Sequence, residues 1–222
     1  MTLKIINWNV GRPTKNKCNK ILDKLNELGG DIVILTETNS SINLKSYDLV
    51  STDLLPKQLD GVPYKDGENR VSIWTKFPAT PSQKTFNGFT SVCTDIPTPF
   101  GLLTVYGTII GIFGGTKPPF HQDLQSQLLD FDRIFPGKKV CLVGDYNIIF
   151  SGQAYPSHLA RETLNDVFQK FALTNLTATI SDCVDHIALS DSFIKNKKVN
   201  IDTWNLDKVL SDHIGISVTL EK

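Results

Sequence analysis

The sequence predicts an α/β protein in which two packed β-sheets are covered by helices on their outer faces. Three observations predict this class. The chain opens with a strand, a helix and a second strand in succession. Residues 47–106 then contain short β-prone runs separated by Pro, Gly, Asn and Asp, which is typical of antiparallel hairpins. The remaining half places two amphipathic helix patterns among several short apolar strands.

The opening unit begins with LKIINWNV, which alternates like a strand. A helix is expected from about Thr14, because apolar residues follow at helical spacing until the pair Gly29-Gly30 stops it. The next run, DIVILTET, is continuously apolar at its start and suits a strand buried on both faces. Residues 52–69 are the least regular stretch of the chain, and we expect an exposed loop there.

The second half contains helix patterns at residues 121–135 and 157–171. Between them, KKVCLVGDYNI predicts a strand that stops abruptly at Gly144. The further strand candidates are LTNLTAT, VDHIALS and HIGISVTL, and Trp204 is expected in a loop. Since no internal repeat, low-complexity tract or linker divides the chain, we expect one domain over residues 1–222.

The composition limits the possible partners. Lys plus Arg equals Asp plus Glu at 23 each, so a nucleic-acid partner would have to be recognised by local features rather than by a global positive field. The four cysteines form no CxxC pair, which indicates buried free thiols rather than a zinc site or disulfide framework. The sequence shows no signal-peptide pattern and no apolar run of membrane-spanning length, and a cytoplasmic location is expected.

Unusual polar side chains stand where the predicted apolar strands begin or end. They are Asn9, Glu37, Asp145, Asn147, Asp185, His186, Asp212 and His213. Strand ends that meet at one edge of a sandwich would place these groups around a single hollow. Carboxylate oxygens suit Mg²⁺ or Mn²⁺, which polarise a phosphoryl oxygen. A separate Asp can activate water, and Asn or His can donate to phosphate oxygens.

Each of these residues alone has a plainer explanation. Asp and Asn at strand ends are commonly turn formers, and GDYN alone is equally consistent with a turn that has Gly144 at positive φ. The order of the whole set is what favours a catalytic site over a series of turns.

That order resembles the endonuclease/exonuclease/phosphatase superfamily, which includes exonuclease III, the abasic-site endonucleases, DNase I, inositol polyphosphate 5-phosphatases and neutral sphingomyelinases. The motifs are WN at 8–9, TE at 36–37, VY at 105–106, VGDYN at 143–147, VDHI at 184–187 and SDH at 211–213. The resemblance extends over residues 3–220. It implies a DNase I-like, four-layer α/β/β/α sandwich of two mixed, mainly antiparallel sheets, with Mg²⁺ or Mn²⁺ as cofactor.

The resemblance also implies roles for the motif residues. The expected metal ligands are Glu37, as the main ligand, with Asn9 and Asp212. Among the expected catalytic residues, Asp145 orients and activates the attacking water and Asn147 holds the scissile phosphate. Tyr106 is expected at the phosphate pocket. His213 is expected to donate to a phosphate oxygen, with its ring fixed by Asp185 and not by its neighbour Asp212.

Two positions depart from the family pattern. Gly11 stands where many nuclease members have an acid, and Ile109 stands where a phosphate-contacting His or Asn is common. The candidates to replace the group missing at Ile109 are His121 and Gln125, on the predicted helix that follows. Arg70, at the start of a predicted strand, receives no assigned role.

Three functions remain open at this point. The first is a Mg²⁺- or Mn²⁺-dependent phosphodiester hydrolase, most plausibly a nuclease, whose partner is nucleic acid or another phosphodiester. The second is a phosphomonoesterase or a phosphodiesterase of lipid headgroups or small molecules, and the third is a non-catalytic binding module on the same scaffold. Substrate choice is expected to depend on residues 52–69, 111–119 and 146–157, because one scaffold hosts several chemistries through its loops.

Overall fold

The computed structural model describes residues 1–112 and 118–222, and two large mixed sheets dominate it. In chain order, the strands are β1 (Thr2–Asn9), β2 (Ile32–Asn39), β3 (Asp48–Ser51), β4 (Gln58–Leu59), β5 (Val62–Pro63), β6 (Glu68–Thr75), β7 (Ser91–Thr98), β8 (Gly101–Ile109), β9 (Val140–Asp145), β10 (Leu173–Asn175), β11 (Asp185–Ser190), β12 (Lys198–Trp204) and β13 (Gly215–Glu221). The helices are α1 (Lys15–Leu28), α2 (Pro118–Ile134), α3 (His158–Lys170) and α4 (Asp191–Ile194).

The first sheet has six strands in the order β12-β13-β1-β2-β6-β3, and the second has five in the order β10-β11-β9-β8-β7. The pairs β1–β2 and β8–β9 are parallel. The other pairs within these sheets are antiparallel. Helix α1 joins the first parallel pair and α2 joins the second, since parallel neighbours need a long crossover connection. The predicted mixed, mainly antiparallel sheets are therefore confirmed.

Apolar side chains form three clusters. The central cluster lies between the sheets and includes Ile5 from β1 and Val143 from β9. A second cluster packs Ile21 of α1 against Trp8 of β1. The third packs α2 and α3 against β8 and β9, with Phe131 at its centre. Each sheet thus buries one face against the other sheet and its opposite face against helices, which is the arrangement that an α/β/β/α order requires.

The helix boundaries follow local capping chemistry. Ser157 precedes α3, and its hydroxyl accepts a hydrogen bond from the Ala160 N–H at 3.1 Å. Gly29 ends α1 in the left-handed region, with φ of 63°. Both features place the observed ends within a few residues of those expected from the sequence.

Two expectations about the chain course were wrong. Residues 52–69 are not simply an exposed loop, because they contain the β4–β5 hairpin and the buried side chains of Thr52 and Leu55. Trp204 does not lie in a loop but ends β12, where it packs edge-on against Trp8 with ring centroids 5.7 Å apart. The sequence did not predict strand β12, because most of its side chains are exposed or half-buried at the sheet edge.

The expected free thiols are present: Cys18, Cys93, Cys141 and Cys183 are all buried and unpaired. Across residues 1–112 and 118–222, every helix is too short or too polar to cross a lipid bilayer.

Candidate active site

A buried amide aligns the ends of the two sheets. Asn7 lies on β1, and its side-chain nitrogen donates to the carbonyl oxygens of Gly144 at 3.0 Å and His186 at 3.3 Å. Both acceptors belong to the second sheet, so this side chain bridges the sandwich. The sequence analysis did not identify Asn7. The sequence does contain a sign of its role: Asn7 faces the same way as Ile5, at a position where the alternation of the strand predicts an apolar core residue.

Asp145 ends β9 and is held on both carboxylate oxygens. The Asn9 side-chain nitrogen donates to Asp145 Oδ2 at 3.0 Å, and the Asn147 backbone N–H donates to Oδ1 at 2.9 Å. Burial, assisted by the charge of Asp185, raises the pKa of Asp145 to about 7. Asp185 is opposite Asp145 in the antiparallel β9–β11 register, which explains why these two acids are close.

Gly144 allows this strand end to form. Its φ is 140°, and a Cβ added there would lie 1.9 Å from the carbonyl oxygen of Thr108 on the neighbouring strand. A side chain at this position would collide with the backbone of β8, so glycine is required immediately before Asp145.

Glu37 lies near the end of β2 with a left-handed backbone, φ 49°. Its backbone carbonyl accepts from the Arg12 N–H at 2.8 Å. The Asn9 side-chain nitrogen donates to Glu37 Oε1 at 3.3 Å, so one amide contacts both Glu37 and Asp145. The orientation of this amide is fixed because its oxygen accepts from the Gly11 N–H at 2.9 Å. Burial raises the pKa of Glu37, and the Asn9 hydrogen bond opposes this shift.

His213 pairs with Asp185, as expected from the sequence. His213 Nδ1 lies 2.6 Å from Asp185 Oδ2. Burial opposes a charge on the imidazole, but the hydrogen bond and the charge of Asp185 outweigh it and raise the pKa of His213 to about 9. This contact uses Nδ1 and leaves Nε2 as the ring nitrogen that can reach a substrate.

The loop that carries His213 is held by the first sheet. The Ser211 hydroxyl donates to the Asn9 carbonyl at 2.7 Å, and the Trp8 indole N–H donates to the His213 carbonyl at 3.2 Å. The Asn205 amide donates to the carbonyls of Ser211 at 2.8 Å and His213 at 2.7 Å. Asn205 and Ser211 are positioning residues to which the sequence analysis gave no role.

Asp212 is exposed at the rim of this arrangement. A Cβ on Gly11 would lie 3.0 Å from Asp212 Oδ1, and Gly11 has a φ of 62°. The absence of an acid at position 11 therefore agrees with the local geometry, because a larger side chain would crowd Asp212 and strain the backbone.

The structure corrects the expected position of Tyr106. Its side chain points away from the sheet interface and is fully buried under α2, with its hydroxyl donating to Asp130 Oδ2 at 3.0 Å. The ring packs edge-on against Phe131 and Phe135. Alternation along β8 places Tyr106 on the helix-covered face, while Ile109 is on the face that lines a pocket beside Glu37.

The amide of Asn147 is engaged by the protein itself. Its nitrogen donates to the carbonyls of Ile110 at 3.0 Å and Gly111 at 3.2 Å, which uses both of its hydrogens. A contact with phosphate would have to replace one of these bonds. The two candidates to substitute for the group missing at Ile109, His121 and Gln125, are not among the residues that line the pocket beside Glu37 in the described part of the chain.

The donor set fits a hard divalent cation. Within residues 1–112 and 118–222, one ligand atom each from Asp145, Asp185 and His213 lie within 4.8 Å of one another. Glu37 is joined to this group through Asn9. Ionised carboxylates are costly in this buried site, since burial raises the pKa values of Asp145 and Glu37. A divalent cation would stabilise the ionised forms, and carboxylate oxygens are the ligands that Mg²⁺ and Mn²⁺ prefer.

The predicted ligand set differs from this tightest group. Of the three expected metal ligands, Glu37 and Asn9 are in contact, whereas Asp212 is exposed and its carboxylate lies 3.4 Å from the Ser211 hydroxyl. The structure therefore brings together Asn9, Glu37, Asp145, Asp185 and His213, places Asp212 and Asn147 beside them, and separates Tyr106 from them.

Comparison with known proteins gives a match to a family model. The model of the Endonuclease/Exonuclease/phosphatase family matches residues 6–213. The comparison with curated proteins gave no match.

Solved structures share the fold at low sequence identity. An AP endonuclease from Archaeoglobus fulgidus has a TM-score of 0.75 and 12% identity, and the alignment covers 99% of this chain and 100% of that one. A 3′ phosphatase, NExo, from Neisseria, bound to a product DNA hairpin, has a TM-score of 0.72 and 13% identity, with 99% and 100% covered. A humanized D. rerio TDP2 has a TM-score of 0.71 and 16% identity, with 100% and 99% covered.

Proposed function

The chain belongs to the endonuclease/exonuclease/phosphatase family, and we propose that it is a Mg²⁺- or Mn²⁺-dependent phosphodiester hydrolase, a nuclease acting on DNA or RNA. The observation that carries this proposal is the contact network in which Asn9 bridges Glu37 and Asp145 while Asp185 pairs with His213. Two of the structural neighbours, an AP endonuclease and a phosphatase bound to a DNA product, agree with a phosphoester substrate.

Asp145 is the proposed acceptor of a proton from the attacking water. Its carboxylate is fixed by the Asn9 amide and the Asn147 backbone, and its pKa of about 7 is close to neutral pH, which suits a general base. A base held in one orientation lowers the entropic cost of positioning water for attack.

His213 is the proposed hydrogen-bond donor to a phosphate oxygen. The pairing of Nδ1 with Asp185 keeps the imidazole protonated at neutral pH, so Nε2 presents an N–H to the substrate. Asp185 acts through His213 and is a positioning residue. Asn147 would add an N–H to the phosphate after releasing one of its backbone carbonyl partners.

Glu37 would be the main ligand of the cation, with Asn9 and Asp212 assisting. When bound, the cation would polarise a phosphoryl oxygen and stabilise charge on the leaving oxygen.

A hydrolysis assay with DNA, RNA and bis(p-nitrophenyl) phosphate tests this function. We expect cleavage with Mg²⁺ or Mn²⁺ and none with EDTA. Asp145→Asn and His213→Ala should each lower kcat by about 10²- to 10⁴-fold, the usual contribution of a positioned acid or base. Circular dichroism should show that both variants stay folded.

Asp132→Asn is the matched control, since Asp132 is exposed and pairs with Lys170 on the outer helices. Cleavage that continues in EDTA would contradict the proposal. Cleavage by the Asp145 or His213 variant at the wild-type rate would contradict it as well. Failure of the folded protein to hydrolyse any of the three substrates would favour the non-catalytic binding module. The balanced charge of 23 basic and 23 acidic residues also suits a smaller substrate, so phosphomonoesters and lipid headgroup diesters belong in the same panel.

A further inference from the structure

A buried arginine beside the candidate active site has no part in the proposed chemistry. Arg70 lies on β6 and is only 2% exposed. The antiparallel register of β2 and β6 leaves it opposite Glu37, with paired residues on either side. Arg70 and Glu37 also line the same pocket. Arg70 therefore contributes to the wall of the same pocket as the expected main ligand of the cation.

Most of the hydrogen-bonding capacity of Arg70 is unused. Its Nη2 donates to the Tyr64 hydroxyl at 3.0 Å and contacts Asp60 Oδ2 at 3.4 Å. Its Nε and Nη1 are buried and have no hydrogen-bond partner within residues 1–112 and 118–222. Because Nε has one N–H and Nη1 has two, three of the five donors of the guanidinium are unpaired in that part of the chain.

Among the described residues, the one ion pair of Arg70 is with Asp60. The Asp60 side chain is 48% exposed, and its contact with Arg70 is long. Asp123 of α2 is already used, since it accepts from the Gly111 N–H at 2.7 Å and from the Gln127 amide at 3.0 Å. A buried guanidinium with unpaired donors is costly unless an acceptor reaches it. An oxyanion with several acceptor oxygens would supply what is missing.

The rest of the pocket suits an oxyanion that is attached to an organic group. The Tyr64 ring lies near two guanidinium groups, with Arg12 at 4.7 Å and Arg70 at 5.6 Å from its centroid. Arg12 is neutralised by Glu68 at 2.9 Å, which leaves Arg70 as the available charge. Apolar side chains complete the wall; they are Leu55, Val62, Ile109 and Ile112. A sugar or base could contact this wall while its phosphate meets Arg70.

We propose that Arg70 binds a second phosphate of the substrate, carried next to the phosphodiester that is cleaved, and so makes the protein select substrates with neighbouring phosphates. This inference rests on the proposed function for its substrate class. It predicts that a simple diester is a poorer substrate than the same diester with an additional phosphate on its sugar.

Phosphate binding is tested first, without catalysis. The whole chain in EDTA is titrated with inorganic phosphate, and the arginine Nε–Hε signals are followed by NMR, with the Arg70 signal assigned by its loss in Arg70→Lys. We expect a saturable shift of that signal that persists in a His213→Ala background, where the catalytic imidazole is absent. A signal that does not move would overturn the inference.

Hydrolysis then tests selectivity. The substrates are thymidine p-nitrophenyl phosphate esters at the 5′ or the 3′ position, each with or without a phosphate on the other hydroxyl. We expect the additional phosphate to raise kcat/KM by about 10- to 100-fold in at least one isomer, the ratio that a charged hydrogen bond supplies. Arg70→Gln should remove this preference, so that the esters with and without the additional phosphate have the same kcat/KM.

Two further variants guard against misfolding. Tyr64→Phe removes the hydroxyl that orients Arg70 and should weaken the preference even if Arg70→Gln does not fold. Arg133→Gln removes a charge from the outer face of α2 and should keep the full preference. An equal loss on both ester types in the Arg70 and Tyr64 variants would overturn the inference. If no ester is hydrolysed but phosphate still shifts the Arg70 signal, the phosphate site stands and the proposed function fails.

Discussion

Asp185 illustrates how a buried carboxylate can determine the protonation state of a neighbouring histidine, here the proposed phosphate donor His213. It supports the protonated form of His213, and the 2.6 Å contact also fixes the ring so that Nε2 faces outward. The pairing between these two residues was expected because the family resemblance assigns Asp185 as the residue that fixes the His213 ring.

Asp185→Asn should therefore change the pH dependence of hydrolysis as well as its rate. His213 must be protonated to donate, so wild-type activity should fall as pH rises through its pKa of about 9. Without the negative charge of Asp185, burial would lower the pKa of His213, and the alkaline limb should move to lower pH. We also expect kcat to fall by roughly 10²- to 10⁴-fold, as for the loss of an orienting carboxylate.

A pH–rate profile of kcat, measured beside Asp132→Asn as the control, checks this prediction. A reduced kcat with an unchanged alkaline limb would indicate that Asp185 has only a structural role. A shift with little change in KM would support the positioning role.

The misplacement of Tyr106 is also explained at the residue scale. The VY motif is in the expected strand, but whether the Tyr faces the site depends on which side of β8 the even-numbered positions occupy. Local sequence does not determine this, because both faces of β8 are apolar and buried. The role of Asn7 was likewise hidden, since it acts through backbone carbonyls that are distant in sequence. Asn205 acts on carbonyls only six and eight residues away, but the loop that brings them to its amide has no periodic pattern.

At the scale of elements, the helices with a strong apolar periodicity were predictable. The end of α1 followed from Gly29, and the range of α3 followed from its apolar spacing, to which the structure adds the Ser157 cap. The edge strand β12 was not predictable, because only its last residue, Trp204, is buried and its pairing with β13 defines it. The β4–β5 hairpin is too short to give a periodic signal, although it contributes the pocket wall at Val62.

A second histidine, His186, lies buried on strand β11 directly after Asp185 and on the opposite face of that strand. His186 is fully buried, with Nδ1 3.1 Å from the Thr177 hydroxyl and Nε2 3.0 Å from the Ile148 carbonyl. Burial outweighs these contacts and lowers the pKa of His186 to about 4 from its usual 6.5. In the unfolded chain His186 is therefore protonated below pH 6.5, whereas in the folded protein it is protonated only below about pH 4.

We expect this histidine to make the protein less stable in acid. Its contribution is fully present above pH 6.5 and is lost as pH falls toward 4, by roughly 3 kcal/mol in total. Urea unfolding of the wild type and of His186→Gln between pH 4 and 7 measures the difference in slope. His158→Gln changes an exposed histidine and is the control. Parallel wild-type and His186→Gln curves would contradict the assigned protonation.

At the scale of the whole molecule, the site depends on how the strand ends of the two sheets are aligned with each other. Asn7 makes a direct polar bridge between β1 and the carbonyls of Gly144 and His186 in the second sheet. The overall layering was predictable from the alternation of apolar strands and amphipathic helices. The alignment of the sheet ends was not, because it depends on contacts between residues more than one hundred positions apart, as the 137-residue separation of Asn7 and Gly144 illustrates.

Asn7→Ala should destabilise the molecule by roughly 1–3 kcal/mol, since it leaves buried carbonyls without a donor. It should also lower kcat, because Asp145 follows Gly144 directly. Asn16→Ala, on the exposed face of α1, should change stability by less than about 0.5 kcal/mol. Urea unfolding and the hydrolysis assay measure both effects, and equal stability of the two variants would exclude a bridging role for Asn7.

The position of β13 has a consequence for the time at which the proposed active site forms. This strand, residues 215–221, lies between β12 and β1 in the first sheet. The first sheet cannot close during synthesis until β13 has left the ribosome, and such long-range pairing forms slowly. His213 immediately precedes this strand, so the proposed phosphate donor reaches Asp185 only when the last strand of the sheet is in place. In a nascent chain the proposed site should consequently stay incomplete until β13 has paired with β1 and β12.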